Sequence, residues 1–394
     1  MLPLGRYFIA AIKETVETGS VWMKNSVKTF SIVYIVACAA ILAVFTYVML
    51  DFFVIPRNYG NEAIGEIALR TPQPESVTLV PEESPGAATP GENGETDRPD
   101  ETPGETPEAT GGENNDPTPS PAPTPEPTDT PEPTPTPTPE DLYILTDNRY
   151  RSETGDIDIT MTKYREYDTD VYVADVKVKD PLLFMTGLAK DTYGRNIIET
   201  TSSQASRHNA ILAINGDFYG KRENGFVVRN GKIWRNTVSG RNERNTYDDI
   251  AVLQDGSFVA FNEKQVSFDE VVSWGPWQVF SFGPTLIKDG EIVVGAYDDV
   301  MAHLESNPRT AIAEVSPGHY LLMVSDGRTG ESEGLSLLQM AEILKNLGAV
   351  NAYNMDGGGS SAMYFNGKII NKPVNNGRIT ERFVSDIIYI PKEG

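Results

Sequence analysis

Hydrophobic and polar positions form three successive patterns along the 394-residue chain. Residues 30–50 are uncharged and mostly apolar, residues 71–140 contain few apolar positions, and short apolar runs alternate with polar turns from residue 141 onward. As a helix, residues 30–50 would span ~32 Å, close to the roughly 30 Å hydrocarbon core of a bilayer. The pattern predicts a membrane-spanning segment, a polar linker and a folded C-terminal domain.

We expect the apolar segment to be a retained anchor, because a cleaved signal peptide has a shorter apolar stretch of roughly 7–15 residues. A buried core helix is the alternative. The bases before it are Arg6, Lys13, Lys24 and Lys28. The positive-inside rule then predicts a cytoplasmic segment at 1–29 and a transmembrane signal-anchor helix at 30–55, with the C-terminal domain extracellular in a single-pass cell-membrane protein.

The polar linker is rich in proline and acid. Residues 71–140 hold 19 of the 28 prolines, and their 16 carboxylates against one arginine give −15 of the net charge of −23. This composition favours extended, disordered chain, so we predict an extracytoplasmic Pro/Thr/Glu-rich linker at 56–140 that acts as a spacer. Because no basic stripe exists to neutralise phosphates, nucleic acid is not an expected partner.

Residues 141–394 show the pattern of a β-rich domain. Dipeptides that tolerate the positive φ of tight hairpin turns join apolar runs at Asn230-Gly231, Asp255-Gly256, Asp289-Gly290 and Asn366-Gly367. Further strands are predicted at 157–163, 171–178, 210–214, 310–314, 320–325 and 385–390. The single cysteine, Cys38, lies in the apolar segment, so this domain must be held by its core without a disulfide.

Two helices are predicted within this domain. Ser336 and Gln339 form a capping-box pattern, apolar residues follow at helical spacing, and Gly348 suits the C-terminal end. A weaker pattern predicts a helix at about 197–208. The fold class is therefore α+β, with mostly antiparallel or mixed β-sheets and a few packed helices.

Three polar stretches do not fit routine strands and turns. Asn215 and Asp217 follow an apolar run, Arg309 begins a strand, and Asp326 and Arg328 follow another strand. The third stretch is Asp356, Gly357, Gly358, Gly359, Ser360 and Ser361. Successive glycines allow a ligand to approach backbone N–H groups closely, which favours a polar binding site here.

Other interpretations of these stretches are open or disfavoured. Gly358 to Ala362 is close to a nucleophile elbow, but that motif needs a strand-to-helix turn, and a predicted hairpin follows instead. Asn215-Gly216 and Asp326-Gly327-Arg328 could each be only a turn, and Arg309 could pair structurally with a nearby aspartate. The histidines show no metal-ligand spacing, so we predict no metal or cofactor.

The motifs RTAIA (309–313), VSDGR (324–328) and NMDGGGSSAM (354–363), with AINGDFY (213–219) and FGPTLIKDG (282–290), resemble the phosphodiester glycosidase family over residues 186–391. That family includes the catalytic domain of the lysosomal uncovering enzyme and bacterial members related to exopolysaccharide biosynthesis. The resemblance implies a glycoside hydrolase that cleaves a sugar-1-phosphodiester, such as a GlcNAc-phosphodiester, in envelope or exopolysaccharide material.

The resemblance also suggests roles for the candidate residues. A phosphodiester is a weakly basic leaving group, so its departure requires charge stabilisation more than a strong acid. We predict catalytic roles for Asp326, Asp356 and Arg309. Substrate-binding roles are predicted for Asn215, Asp217, Arg328, Gly357, Gly358, Gly359, Ser360 and Ser361. The alternative is a non-catalytic carbohydrate-binding or exopolysaccharide assembly module, which would more often present aromatic platforms.

Overall fold

The computed structural model describes residues 13–14, 17–18, 34–51, 53–70, 144–238, 248–294 and 306–393. The predicted linker from residue 71 onward, and almost all of the predicted cytoplasmic segment 1–29, lie outside the described residues. The α-helices with defined bounds are α1 (Tyr34–Asp51), α2 (Thr201–Arg207), α3 (Phe268–Ser273) and α4 (Leu337–Asn346), and residues 13–14 and 17–18 are also helical.

The described strands, in chain order, are mostly short. The first half contains β1 (Arg57–Asn58), β2 (Gly65–Glu66), β3 (Ile144–Leu145), β4 (Arg149–Arg151), β5 (Ile157–Glu166), β6 (Thr169–Val178), β7 (Met185–Leu188), β8 (Gly194–Arg195), β9 (Glu199–Thr200), β10 (Ala210–Asn215), β11 (Val227–Arg229), β12 (Lys232–Arg235) and β13 (Asp248–Leu253). The second half contains β14 (Phe258–Asn262), β15 (Pro276–Phe280), β16 (Thr285–Lys288), β17 (Glu291–Ile292), β18 (Thr310–Ser316), β19 (His319–Ser325), β20 (Asn351–Asn354), β21 (Met363–Phe365), β22 (Lys368–Ile369), β23 (Val374–Asn375), β24 (Arg378–Ile379), β25 (Phe383–Val384) and β26 (Asp386–Pro391).

Three main sheets carry the fold, and every pairing among the described strands is antiparallel. The nine-stranded sheet has the order β17-β16-β20-β18-β19-β6-β5-β4-β3. The six-stranded sheet is β14-β13-β15-β11-β12-β2, and the five-stranded sheet is β22-β21-β10-β26-β7. The domain is therefore mostly β-sheet with a few helices, as the sequence predicted.

The largest core cluster lies where the three sheets meet. Leu212 and Ile388 reach it from the five-stranded sheet, Val252 from the six-stranded sheet, and Leu322 and Tyr353 from the nine-stranded sheet. Each of these side chains is fully buried. Strand alternation explains the arrangement, because every second residue of these strands points toward this core and the others face away.

The opposite face of the nine-stranded sheet is covered by α4. The alternate residues Val171 and Val173 of β6 pack there with Met340 and Leu344 of the helix. Ser336 caps α4 in a complete capping box, and Gly348 follows with φ +93°, a left-handed conformation that glycine adopts without strain. The predicted start and end of this helix are confirmed.

The four predicted hairpins and the predicted strands are also present. The weaker helix prediction at 197–208 was partly wrong. Helix α2 begins only at Thr201, because the Thr200 side chain accepts a hydrogen bond from Ser203 N and residues 199–200 pair with β25. Helix α3 was not predicted, although Ser267 caps it by accepting from Glu270 N.

Within the described residues, α1 is the one helix long and apolar enough to cross a membrane. It has 18 residues with a mean hydropathy of 2.0, and none of that window is buried in the protein. A core helix of a soluble domain would be mostly buried. Length, composition and exposure therefore fit a membrane span or a signal sequence near the N-terminus.

The segment that follows α1 differs from the expected linker. Strand β1 pairs with β8, strand β2 pairs with β12, and Ile67 joins a core cluster of the six-stranded sheet. Residues 57–70 thus belong to the folded domain, although the sequence placed 56–140 in the linker. Two-residue strands followed by Pro-rich sequence left no periodic pattern from which this pairing could be predicted.

Candidate active site

Residues from several separate loops surround one cavity of about 350 Å³. Its lining includes four guanidinium groups and, among the described residues, one carboxylate. The described lining residues are Phe218, Arg222, Phe282, Asn307, Arg309, Arg328, Asn354, Met355, Asp356, Gly357, Gly358 and Arg382. This concentration of positive charge around a single aspartate is suited to an anionic ligand.

Strand β20 carries Asp356 to the cavity. It pairs with β18, with Asn354 opposite Ala311, and Met355 N then donates to Thr310 O at 2.8 Å. Beyond this point the chain leaves the sheet and turns tightly. Gly358 has φ +64°, in the left-handed region that favours glycine, and its N–H donates to Pro308 O at 2.8 Å.

The glycines also let two arginines lie against the backbone. A Cβ at Gly359 would lie 2.9 Å from two guanidinium nitrogens of Arg382. A Cβ at Gly358 would lie 3.2 Å from a guanidinium nitrogen of Arg328. These contacts are made by arginine side chains, and a side chain at Gly358 or Gly359 would displace them.

A buried network beneath the turn fixes its backbone. The Asn215 amide donates to Asp356 O at 2.6 Å and to Gly216 O at 3.2 Å. Its oxygen accepts from the Thr310 hydroxyl at 2.9 Å and from Ala362 N at 3.3 Å. Asn215 is completely buried. It lies under the cavity, with both functional groups of its side chain bonded to protein.

Arg309 and Arg328 enter the cavity from the ends of two neighbouring strands. Arg309 is 6% exposed, and its Nε donates to Leu335 O at 2.9 Å. Arg328 donates through Nε and Nη2 to the Asn307 side-chain oxygen at 3.1 and 2.8 Å. Arg328 also has φ +59°, a strained conformation for a non-glycine residue that is common at functional sites.

Arg222 lines the same cavity and lies near two aromatic rings. Its guanidinium carbon lies 5.8 Å from the centre of the Phe218 ring and 5.3 Å from that of Phe282. It also donates to Ser281 O at 2.6 Å. Cation–π contact and this hydrogen bond hold the charge at the rim of the cavity.

Asp356 is the acidic group of this cavity. Burial raises the pKa of Asp356 to about 6, against the opposing effects of the Ser360 hydroxyl, Arg382 and Arg222. Asp217 also acts to raise this pKa. Asp356 therefore titrates near neutral pH, and it can be an ionised carboxylate beside a sugar at pH 7.

Asp326 occupies a different position from the one expected. It is 1% exposed, and one carboxylate oxygen accepts from Lys372 N at 2.7 Å and from the Asn371 amide at 3.3 Å. Burial raises the pKa of Asp326, and those two donors oppose the shift. Asp326 is not among the described residues that line the cavity, so the structure brings Asp356 together with the arginines and leaves Asp326 beside residues 371–372.

Part of the chain matches a known protein family. Residues 208–391 match the family model described as phosphodiester glycosidase. This part of the chain is similar to that family. The resemblance predicted from the sequence motifs is thus confirmed.

The individual relatives are distant. The Bacillus subtilis SPbeta prophage-derived uncharacterized protein YomE is 27% identical over 262 residues, which are 63% of this chain and 39% of that protein. Mouse N-acetylglucosamine-1-phosphodiester alpha-N-acetylglucosaminidase is 43% identical over 65 residues, which are 16% of this chain and 12% of that enzyme. The solved catalytic domain of the zebrafish enzyme superposes with a TM-score of 0.48 at 21% identity, covering 60% of this chain and 83% of that one.

Asp217 is buried and is not among the described residues that line the cavity of the four arginines. Arg229 Nη2 lies 2.9 Å from Asp217 Oδ2, and Arg229 Nε donates to Asp386 Oδ2 at 2.9 Å. Burial raises the pKa of Asp386 to about 8. Although burial also acts on Asp217, Arg229 and two backbone N–H groups lower the pKa of Asp217. These opposite shifts favour the ionised form of Asp217 and the protonated form of Asp386 around one buried guanidinium.

A smaller cavity of about 240 Å³ adjoins the first and shares Asp356, Phe218 and Arg382 with it. The other described lining residues are Ile198, Asp217, Lys221, Ser360, Phe383, Val384 and Ser385. Of the two predicted serines, Ser360 lines this cavity, whereas Ser361 is fully buried and its Oγ accepts from the Thr310 hydroxyl at 3.2 Å. Asp356 therefore lines both cavities.

Sequence reasoning did not identify several lining residues. These are Phe218, Arg222, Phe282, Asn307 and Arg382. Phe218 and Phe282 lie inside motifs that were recognised, so their positions could have been proposed. Arg222 and Arg382 lie in loops without a motif, and only the fold brings them to Asp356. Within the described residues, no group of three or more His, Cys, Asp or Glu side chains is arranged to hold a metal ion.

Proposed function

We propose that this protein is a membrane-anchored, extracytoplasmic glycosidase that hydrolyses a sugar-1-phosphodiester, of the GlcNAc-phosphodiester type, in envelope or exopolysaccharide material. The observation that supports this most strongly is the set of four arginines around the single described carboxylate of the cavity. The phosphodiester glycosidase family domain supports the same reaction class. The apolar helix α1 and the bases before it support the anchor and its orientation.

In the proposed reaction, the arginines bind the phosphate of the aglycone. Guanidinium groups bind phosphate oxygens in bidentate fashion, and they stabilise the negative charge that grows on the phosphate as the glycosidic bond breaks. Arg328 is oriented for this by Asn307, and Arg382 is packed against Gly359. A phosphate stabilised in this way leaves without a strong general acid.

Asp356 acts on the sugar side of the bond. Its ionised carboxylate stabilises the oxocarbenium-like carbon C1 in the transition state, as nucleophile or as base for the attacking water. Asn215 holds the backbone of Asp356 in place from below. Gly357 and Gly358 line the same cavity, and because they have no side chains, sugar or phosphate oxygens can approach the backbone there closely.

Asp326 has a positioning function in this scheme, because it accepts hydrogen bonds from residues 371–372 and Asn371 in turn donates to Ser361 O at 3.1 Å. Asp217 has the same kind of function through Arg229. Asn215 and Ser361 likewise support the turn from beneath, and Ser360 moderates the pKa of Asp356.

The test uses the full chain in detergent with two GlcNAc α-glycosides, one with a phosphodiester aglycone and one with an uncharged aryl aglycone. Wild type is expected to hydrolyse the phosphodiester selectively, and Asp356→Asn is expected to bind it without turnover. Binding of both wild type and variant without any product would refute the hydrolase proposal and support a carbohydrate-binding module.

A further inference from the structure

The first turn of chain after α1 is bonded directly to the domain. Lys221 Nζ donates to Phe53 O at 3.4 Å and to the Asn196 side-chain oxygen at 2.6 Å. The Asn196 amide donates to Ile55 O at 3.1 Å. The apolar span of helix α1 is Tyr34–Asp51, and Phe53 is also helical. Only a few residues therefore separate the end of the apolar helix from the surface of the domain.

The attachment continues along the whole described segment 53–70. Tyr59 N donates to Tyr193 O at 3.2 Å, and the strand pairs β1–β8 and β2–β12 follow. At its end, Arg70 N donates to the Gln254 side chain at 2.7 Å, and Gln254 Nε2 donates back to Ala68 O at 2.9 Å. The described segment 53–70 therefore provides no flexible connection between the helix and the domain.

Because residues 53–70 attach to the domain, the proline-rich segment after them is not the spacer between the helix and the domain that the sequence predicted. Residues 70 and 144 both belong to the same folded unit, so the proline-rich sequence connects two parts of that unit. It is not the connection between the helix and the domain. Because a residue spans at most about 3.6 Å, Phe53 lies within roughly 7 Å of the end of α1. This distance is comparable to the headgroup layer, about 5–8 Å thick on each side of a ~30 Å hydrocarbon core.

The candidate active site lies beside the residues that bind the segment after α1. Lys221, which is bonded to Phe53 and Asn196, also lines the 240 Å³ cavity that contains Asp356. Ile198 lines that cavity two residues after Asn196. Phe383 and Phe218, two further lining residues, are 57% and 37% exposed. An exposed aromatic rim beside cationic groups is typical of a surface that contacts lipid headgroups and upper acyl chains.

We propose that the substrate is the glycosyl phosphodiester of a membrane lipid, with the aglycone phosphate esterified to a lipid in the outer leaflet of the same membrane. This inference rests on the proposed hydrolase function. Water attacks C1, the bond between C1 and the phosphate oxygen breaks, the free sugar departs, and the lipid keeps a phosphomonoester. The proton of the water ends on solvent or on the phosphate.

The test uses full-length protein in vesicles that contain a lipid-linked GlcNAc-1-phosphodiester, with a water-soluble methyl GlcNAc-1-phosphodiester as the second substrate. In one variant, 30 Gly/Ser residues are inserted directly after Asp51, which adds roughly 30 Å of flexible reach. The matched control carries the same insertion after Glu113, within the proline-rich segment.

The insertion after Asp51 is expected to lower hydrolysis of the lipid substrate at least fivefold and to leave hydrolysis of the soluble substrate unchanged. The insertion after Glu113 is expected to change neither rate. Equal loss with both insertions, or an unchanged lipid rate with the Asp51 insertion, would overturn the proposal. Failure of all chains on both substrates would instead refute the hydrolase function.

A second measurement needs no variant and therefore does not depend on how an insertion folds. Unmodified protein is mixed with lipid substrate either in its own vesicles or in separate vesicles. Hydrolysis is expected at least tenfold faster for substrate in the same vesicles. Equal rates in the two arrangements would contradict a domain held at the membrane surface.

Discussion

The side-chain amide of Asn215 donates a 2.6 Å hydrogen bond to the backbone carbonyl of Asp356. These residues come from different sheets, β10 in the five-stranded sheet and the end of β20 in the nine-stranded sheet. The bond therefore joins two layers of the domain directly beneath the candidate catalytic carboxylate. A site fixed in this way holds its geometry through the packing of the fold rather than through a loop.

Replacing Asn215 is expected to loosen Asp356 without removing any lining group. Asn215→Ala leaves Asp356 O without the buried Asn215 donor and removes one of two partners of the Thr310 hydroxyl, which costs about 1–3 kcal/mol of unfolding free energy. We expect a drop in kcat of tenfold or more with a small change in KM, measured beside chemical unfolding. An unchanged kcat in a destabilised variant would show that the bond serves stability alone.

Arg382 is expected to bind the phosphate of the substrate. Arg382→Ala removes charge-assisted hydrogen bonds worth about 1.5–3 kcal/mol, which corresponds to a loss of roughly 10- to 150-fold in kcat/KM. Arg378→Ala is the matched control, because that arginine lies on the exposed strand β24. Equal losses in the two variants would mean that general surface charge, and not the cavity, attracts the substrate.

Gly359 is expected to affect kcat/KM because its lack of a side chain leaves space for Arg382. The Cβ of Gly359→Ala would lie 2.9 Å from the guanidinium, so the arginine must move. We expect a tenfold loss of kcat/KM that does not add to the loss in Arg382→Ala, measured as a double-mutant cycle. Gly330→Ala is the control, since a Cβ there has no atom within 4 Å. Fully additive losses would contradict this coupling.

The pH dependence of kcat/KM is expected to follow Asp356. Burial raises the pKa of this carboxyl to about 6, so the ionised form required for the sugar side dominates only above that pH. We expect kcat/KM to rise about tenfold per pH unit below 6 and to level off above it. A rate that instead falls as pH rises through 6 would assign Asp356 the role of a general acid.

Substitutions of the two aspartates in the buried Asp217–Arg229–Asp386 cluster are expected to lower the free energy of unfolding by different amounts. Asp217→Asn leaves Arg229 without its ionised partner, at a cost of about 3–5 kcal/mol. Asp386→Asn resembles the protonated carboxyl already present, so we expect a cost of about 1 kcal/mol, measured by denaturant unfolding. A larger loss of unfolding free energy in Asp386→Asn than in Asp217→Asn would indicate that Asp217, and not Asp386, carries the proton.

The same cluster gives the protein a pH-dependent stability. Burial raises the pKa of Asp386 to about 8, above its value near 3.8 in the unfolded chain. The folded state therefore binds a proton that the unfolded state has lost, and this contribution is full below pH 4 and declines as pH rises toward 8. In Asp386→Asn, the free energy of unfolding is expected to decline less between pH 4 and pH 8 than in wild type. The same decline in both proteins would contradict this.

Local sequence signals were sufficient for elements whose geometry is set by neighbouring residues. Asn-Gly and Asp-Gly pairs specified hairpins because their backbone conformation requires those residue types. Ser336 and Gln339 specified the start of α4 because capping is a local hydrogen-bond pattern. The capping pattern of Ser267 and Glu270 was equally visible, yet α3 is only six residues long and has little amphipathic periodicity.

The site was only partly predictable for a different reason. Asp356, Arg309 and Arg328 occur in motifs, whereas Arg222 and Arg382 reach the same cavity through tertiary packing. Asp326 and Asp356 are similar in sequence context, since both follow a buried strand and precede glycine. Their environments differ because Asn371 and Lys372 fold over Asp326, a contact that no short pattern encodes.

The measurement that tests the proposed reaction most directly is hydrolysis of a GlcNAc-1-phosphodiester in ¹⁸O-labelled water, with mass analysis of both products. Attack at C1 places the label in the hydroxyl of the released sugar and leaves the phosphomonoester unlabelled, and Asp356→Asn should form neither product. Label in the phosphomonoester would show cleavage of the phosphorus–oxygen bond and would contradict a glycosidase mechanism at Asp356.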